Sequence, residues 1–316
     1  MISLVYRDVM TLYTGYLAIH KFEKELEREL EIRGLKVAFK KDRLYLVEGT
    51  APQVIWAQVT AYELEFMPIN SINDAVKKLK SLGRNWGLFT VGNHRRAELI
   101  QSELPKINTK PIPFRQKLPT LPMGFWTLWE QDQILATQKT SSPFPIGEMD
   151  FQEDKVMPPS RAYLKLWEFF TVYAPEAIEG GASIDVGSCP GGWTWVLRTL
   201  EFHKVYSVDK APIEKRIMDL GRIEFKKESA FGLDPKDFDE IDWFCSDIIC
   251  YPERLLNLVN RFRESGKVKN FVCTIKYQAE TDWENTLKFL EIPNSRIVHL
   301  HHNKHEVTWF LKGANK

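Results

Sequence analysis

The sequence predicts an α/β protein: a Rossmann-like, doubly wound sheet over 151–316, preceded by a smaller α+β domain over 1–150. Three observations predict it. From Ser160 onward, apolar runs of strand length alternate with helical periodicities, the pattern of a mostly parallel sheet covered on both faces. A glycine turn joins the first of those strands to its helix, in Ser183-Ile-Asp-Val-Gly-Ser-Cys-Pro-Gly-Gly-Trp-Thr194. Prolines then separate the two blocks: Pro105, Pro111, Pro113, Pro119 and Pro122, with four more between 141 and 159.

The first block reads strand, helix, strand. Residues 15–19 are extended in character, and Phe22, Leu26 and Leu30 fall at i, i+4, i+8 through a run of Glu and Lys. That is one apolar stripe on a charged helix. Gly34 ends it, and 44–47 reads as a strand. A second helix is expected over 72–82, stopped by Gly83, then a strand at 87–91 and a helix over 94–104. Proline fits neither a continuous helix nor a central strand, so 105–123 is either a stiff connector or a strand edge. Residues 125–129 and 134–137 suit a hairpin closing this domain, and the boundary falls near 150.

The second block predicts a helix over 161–173, a strand at 182–186, a helix over 193–200 and a strand at 204–208. A stretch without clear pattern follows. Next come a strand at 242–246, a helix over 252–264, a strand at 270–275 and a helix over 283–290. Two adjacent strands, 296–300 and 306–311, close the chain as an antiparallel edge.

Composition narrows the setting. Hydrophobic residues make up 44% and charged residues 27%, as in ordinary soluble proteins. No apolar run approaches the ~18 residues of a membrane span, and the N-terminus does not read as a signal peptide. Cys189, Cys245, Cys250 and Cys273 form no C-x-x-C, so neither a zinc knuckle nor a disulfide framework is indicated and a reducing, cytoplasmic setting is expected. The formal net charge of +1 points to no partner. Between 77 and 117, however, ten Lys/Arg stand against Glu98 and Glu103, with Trp86 and Phe89 among them. A phosphate backbone attracts such a segment; a solvated charged face has the same composition.

The glycine turn is neither G-x-G-x-x-G nor G-x-x-x-x-G-K-[ST], so a dinucleotide or phosphate cradle is not indicated. It remains a place where backbone can approach a ligand without a Cβ in the way. Polar residues gather at the predicted strand ends, where such sheets hold ligands. Asp185 ends the first strand, and Asp209 the second, where an acid can accept hydrogen bonds from a ribose diol. Asp247 and Lys276 end later strands, Lys165 lies on the opening helix, and Glu306 starts the last strand. Each alone is an ordinary surface charge. A lysine directly after an apolar strand, one strand beyond an aspartate in the same position, is harder to dismiss.

These segments carry a resemblance. Ser160-Arg-Ala-Tyr-Leu-Lys-Leu166, Asp185-Val-Gly-Ser-Cys-Pro-Gly-Gly-Trp-Thr194, Val205-Tyr-Ser-Val-Asp209, Cys245-Ser-Asp247, Ile275-Lys276 and Glu306-Val-Thr308 resemble, in order and spacing, the FtsJ-like, S-adenosylmethionine-dependent RNA ribose 2′-O-methyltransferases. Among these the RlmM-like enzymes of large-subunit ribosomal RNA are the nearest in wording. The resemblance covers 140–316 well and 1–130 weakly. It implies a catalytic tetrad of Lys165, Asp247, Lys276 and Glu306. It lays S-adenosylmethionine against Cys189, Pro190, Gly191 and Gly192, flanked by Asp185, Gly187, Trp193 and Asp247, with its ribose on Asp209. Ser229, with Glu228 beside it, stands where the family carries an aspartate near the adenine amino group, and Ala162 stands in place of a serine. The first domain would be an RNA-binding, THUMP-like region, and RNA the partner.

The chemistry explains why such groups are needed. Methyl transfer from a sulfonium is an in-line displacement, helped by holding the reacting oxygen and carbon near ~3 Å. The ribose hydroxyl must also lose its proton. A lysine accepts one only when neutral, and an unperturbed lysine titrates near ~10.4, so its surroundings decide. The expected role of Lys276 is to orient the 2′-oxygen and act as base, its amine fixed by Asp247 and Glu306. Two other readings remain: an RNA-binding protein with a relict cofactor fold, and a small-molecule methyltransferase. His299, His301, His302 and His305 do not suggest metal, because strand alternation would separate His301 from His302 and no familiar ligand spacing is complete. Trp193 and Trp195 read as core or pocket wall.

Overall fold

The computed structural model describes residues 11–107, 110–120, 123–176 and 180–314; Pro122, one of the connector prolines, lies outside them. Two compact units emerge: residues up to 111 with 118–150, and 112–117 with 151–316.

The first unit runs β1 (Tyr13–Ala18), α1 (Glu23–Ile32), β2 (Val37–Lys41), β3 (Leu44–Glu48), β4 (Ala57–Pro68), α2 (Ile72–Leu82), β5 (Trp86–Leu88), α3 (His94–Ser102), β6 (Gly124–Glu130), β7 (Gln133–Thr137) and β8 (Lys139–Thr140). One sheet takes the order β2-β3-β1-β4-β7-β6-β5, with β8 beside β4. Its pairs are antiparallel except β5 with β6. The helices form where the stripes predict: Leu26 and Leu30 are buried on α1. Ser71 caps α2 by accepting the Asp74 N–H, while the Asp74 carboxylate accepts that of Asn70, a reciprocal cap. Trp86, Trp126 and Leu79 belong to one apolar cluster of this unit; Leu17, Leu64 and Phe125 belong to a second.

Strands β2, β4 and β8 escape the sequence reading, and β4 is the longest of this unit. The reason is a bulge: the register with β1 shifts between Tyr13 and Gly15, and Glu63 adopts φ 54°. The slip breaks the two-residue alternation by which a strand is recognised. The strand expected at 87–91 is shorter and begins one residue earlier.

The second unit runs α4 (Tyr163–Val172), β9 (Ala182–Val186), α5 (Gly192–Thr199), β10 (Lys204–Asp209), α6 (Lys215–Met218), β11 (Ile223–Lys227), β12 (Ile241–Ser246), α7 (Pro252–Glu264), β13 (Val268–Lys276), α8 (Trp283–Leu290), β14 (Ser295–Val298) and β15 (Glu306–Lys312). The sheet order is β11-β10-β9-β12-β13-β15-β14. The strands run parallel except β15, which lies antiparallel between β13 and β14. The expected antiparallel edge is therefore present, with the last strand inserted inside the previous one. The patternless stretch contains β11, whose half-exposed residues carry little periodicity. Proline opens α7, and Asp282 caps α8 by accepting the Asn285 N–H at 3.0 Å, both ordinary helix starts. The strand order reverses between β9 and β12, which places the switch-point crevice at their carboxyl ends. Among the described residues no helix is long and apolar enough to cross a membrane.

Candidate functional site

At that crevice four ionisable side chains converge. Register pairs Ser246 of β12 with Val186 of β9, so Asp247 emerges beside Gly187. Lys276 ends β13 directly opposite Glu306, which starts β15. From the helix side, Lys165 Nζ donates to Asp247 Oδ1 at 2.6 Å and to Glu306 Oε1 at 3.0 Å. Lys276 Nζ donates to the Asp247 carbonyl at 2.6 Å and stands 3.2 Å from its Oδ1. One carboxylate oxygen is thus shared by two ammonium groups. The partition of the acids differs from expectation: Glu306 reaches Lys165 rather than Lys276, because the α4 lysine crosses the sheet end between the two acids. Lys165 is 7% exposed and Lys276 19%. An ammonium has three donor hydrogens, and among the described residues those of Lys276 meet only Asp247. Lys276 is the most exposed of the four.

Beside these groups lies the glycine turn. Gly187 has φ 81° and Gly191 φ 115°, backbone conformations costly for residues with a Cβ. A Cβ on Gly187 would stand 2.9 Å from the Ile248 Cα, so the turn after β9 and the turn after β12 are in backbone contact. The Cys189–Pro190 peptide is cis. Cys189 N–H donates to Asp209 Oδ2 at 3.0 Å, and Ala211 N–H to Oδ1 at 3.0 Å. Each Asp209 oxygen keeps a lone pair for a further donor. The Glu214 N–H, just before α6, donates to the Pro190 carbonyl at 3.0 Å and braces the turn from outside. Ser229 lies two residues beyond the end of β11, half-buried and at the same edge of the sheet.

Asp185 and Trp193 are placed beneath the turn, not on its open side. Asp185 Oδ2 accepts the Thr194 hydroxyl at 2.6 Å. That hydroxyl lies 3.3 Å from Ser207, which donates to Ser188 at 2.8 Å. Burial pushes the Asp185 carboxyl up to about 7, with the Thr194 hydrogen bond opposing and the Asp247 and Asp209 charges adding. Its Oδ1 is a buried oxygen with no hydrogen-bond partner among the described residues. Trp193 donates to the Ala162 carbonyl at 2.9 Å, and Trp195 stacks on Trp167, so both tryptophans are core. The cradle therefore fits a nucleoside cofactor: two glycines at positive φ that leave the backbone open, and an acid with open lone pairs.

Glu168, one turn beyond Lys165, gave no signal in the sequence because it reads as one more charge on an apolar helix. It is fully buried, and both its oxygens accept the His301 N–H, at 3.0 and 2.9 Å. The carboxylate ties α4 to the turn that leads into Glu306. The histidines near it sit past the end of β14, so strand alternation does not separate them: the rings of His301 and His302 meet edge to face at 5.0 Å. Among the described residues no group of three or more His, Cys, Asp or Glu is arranged to hold a metal ion.

A doubly wound sheet with a glycine turn after its first strand and an acid ending its second is the frame of a site for a nucleoside-containing cofactor. The FtsJ-like methyltransferase family matches residues 158–281. The ribosomal RNA large subunit methyltransferase M of Xanthomonas oryzae pv. oryzae (strain PXO99A) is 30% identical over 252 residues, 75% of this chain and 68% of that protein. The enzyme of the same name from Stenotrophomonas maltophilia (strain R551-3) is 28% identical, over 75% of this chain and 66% of its own. Among solved structures, TrmN from Thermus thermophilus is 13% identical with a TM-score of 0.36, covering 96% of this chain and 99% of that one. The chain belongs to the FtsJ-like methyltransferases, in the branch of these large-subunit methyltransferase M proteins.

Proposed function

We propose that this chain transfers the methyl group of S-adenosylmethionine to a ribose 2′-hydroxyl of large-subunit ribosomal RNA. The observation that carries this reading is the shared Asp247 oxygen, which holds Lys165 and Lys276 together next to the glycine turn. The name of the relatives, large-subunit ribosomal RNA methyltransferase M, supports the choice of RNA.

In this reading S-adenosylmethionine, when bound, supplies a methyl group on a cationic sulfur. Gly187, Cys189, Pro190, Gly191 and Gly192 would border it, Asp209 would take its ribose hydroxyls, Ser229 would face its adenine, and Asp185 and Trp193 would support the turn from below. Lys165 is held by two acids and serves as the fixed cation that positions Asp247 and Glu306. Lys276 turns its remaining donor capacity toward the acceptor, orients the 2′-oxygen and takes its proton when neutral. The first unit would contact RNA as a THUMP-like domain, through the exposed lysines and arginines of 77–110. A relict, RNA-binding role is the second reading, favoured by the uncharged Ser229; four assembled ionisable groups weigh against it.

The test is transfer of tritiated methyl from S-adenosylmethionine onto unmodified large-subunit rRNA made by transcription. Label retained in alkali-resistant dinucleotides is the expected result, since a 2′-O-methyl group blocks cleavage of its phosphodiester. Label on a base, or cofactor binding without any transfer, would sink the proposal.

A further inference from the structure

We propose that the turn between β12 and α7 is the platform on which the nucleobase of the acceptor nucleotide stacks, with Ile249 and Tyr251 as its surface; this rests on the RNA-methyltransferase reading above. The three most exposed large apolar side chains among the described residues are Ile249 (78%), Val156 (73%) and Tyr251 (62%), and none of the others exceeds 48%. All three lie at the carboxyl end of the second unit's sheet. Ile249 and Tyr251 follow Asp247 by two and four residues. The Val156 carbonyl accepts from Arg216 at 2.7 Å, and Arg216 is on α6, whose approach is bonded to Pro190. Single exposed apolar residues are ordinary. The concentration of the most exposed ones around one ligand-binding crevice is what points to a partner.

The turn is built to display these side chains. Its backbone is pinned at both ends: Ile248 packs on Gly187, Cys250 is buried, and the Tyr251 carbonyl accepts the N–H groups of Arg254 and Leu255 at the start of α7. Residues 248–251 carry no charge. A fixed, uncharged, partly aromatic surface suits the face of a base and loses little freedom on binding.

Position selects the occupant. The 2′-oxygen must arrive at Lys276 and Asp247. In a ribose, the base hangs from C1′, the carbon next to the C2′ that bears this oxygen. The base must therefore lie close to the crevice rim, where the turn presents Ile249 and Tyr251. A base paired within a duplex is covered on both faces, so the nucleotide that uses this surface is unpaired or extruded.

The experiment compares wild-type protein with Ile249→Ala, Tyr251→Ala and Tyr251→Phe, using transcribed large-subunit rRNA and tritiated S-adenosylmethionine, with RNA affinity measured alongside by filter binding. Loss of either stacking side chain should raise KM for RNA by roughly tenfold, the size of one base stack, while the affinity for S-adenosylmethionine stays within about twofold. Tyr251→Phe keeps the ring and should restore the wild-type KM. An unchanged KM in both alanine variants overturns the platform and leaves the methyltransferase reading intact. A Tyr251→Phe variant as impaired as Tyr251→Ala also overturns it, because the contact would then be the hydroxyl. Wild-type protein that binds S-adenosylmethionine yet neither methylates nor binds RNA removes the functional reading, and the platform with it.

Discussion

Lys276 and Lys165 carry the same charge and share one carboxylate oxygen, yet their surroundings separate them. Lys165 is enclosed by two acids, whereas Lys276 has one carbonyl and one longer carboxylate contact. Removing Lys276 should therefore cost catalysis and spare cofactor binding. Lys276→Ala should lower kcat by about 10²–10⁴-fold, the range of a lost general base, with S-adenosylmethionine affinity unchanged in calorimetry. Lys276→Arg should be equally slow, since a guanidinium does not give up its proton. Appreciable turnover by either variant would remove the base from this residue. Ser229 gives a second test at this scale: an ionised acceptor makes stronger hydrogen bonds than a hydroxyl, so Ser229→Asp should tighten cofactor binding by about tenfold. If affinity does not change, the adenine does not lie there. The strand-end positions of Asp209, Asp247 and Lys276 were legible from sequence, because an apolar run followed by a charge marks where a parallel strand meets the crevice. The pairing between them was not, since which acid a lysine on α4 can reach depends on how the helix crosses the sheet.

Elements hold the four groups in register, and α4 is held by Glu168. Burial pushes the Glu168 carboxyl up to about 8, against the backbone N–H groups of the His301 turn. An acid with a raised folded pKa binds its proton more tightly in the folded state. Its contribution is fully present below the unfolded value of 4.5 and is lost as pH rises through about 8. Asp185 acts in the same direction, with its loss centred near 7. His299, lowered to about 4 mainly by burial, has the opposite slope and contributes it only below its unfolded value of 6.5. Between pH 7 and 8, Glu168 loses part of its proton while Asp185 loses the last part of its own. The Glu168 share of the fall in stability across that interval should be at most about 1.4 kcal/mol per pH unit. Glu168→Gln should flatten the fall, as measured by thermal melts at pH 7.0, 7.5 and 8.0. Parallel curves for the two proteins would show that Glu168 is already ionised in the folded chain. The sequence could not single out this residue, because a glutamate on a helix looks solvated until its tertiary neighbours are known. The same limit hid β4, whose bulge breaks the alternation, and β11, whose half-exposed edge carries too weak a pattern. By contrast, α7 and α8 were legible to the residue, because Pro252 and Asp282 fix their starts locally.

At the scale of the whole molecule, the two units present different surfaces. The second unit holds the crevice; the first carries Lys77, Lys80, Arg84, Arg95, Lys106 and Lys110, all exposed. A chain with a net charge of +1 has no general attraction for nucleic acid, so any strong phosphate binding must come from local clusters. If the first unit grips RNA, each phosphate it neutralises releases a condensed counterion, and affinity falls steeply with salt. Replacing Lys77, Lys80 and Arg84 by Ser should weaken RNA binding at low salt and make the plot of log affinity against log salt shallower by about two to three units, near 0.7–0.9 per lost phosphate contact. These side chains lie outside the core, so the melting temperature and S-adenosylmethionine affinity should stay as they are. An unchanged salt slope would mean that the basic segment is only a solvated face. The substrate would then be selected by the crevice and its apolar rim alone, and short unpaired RNA should be methylated as readily as the folded transcript.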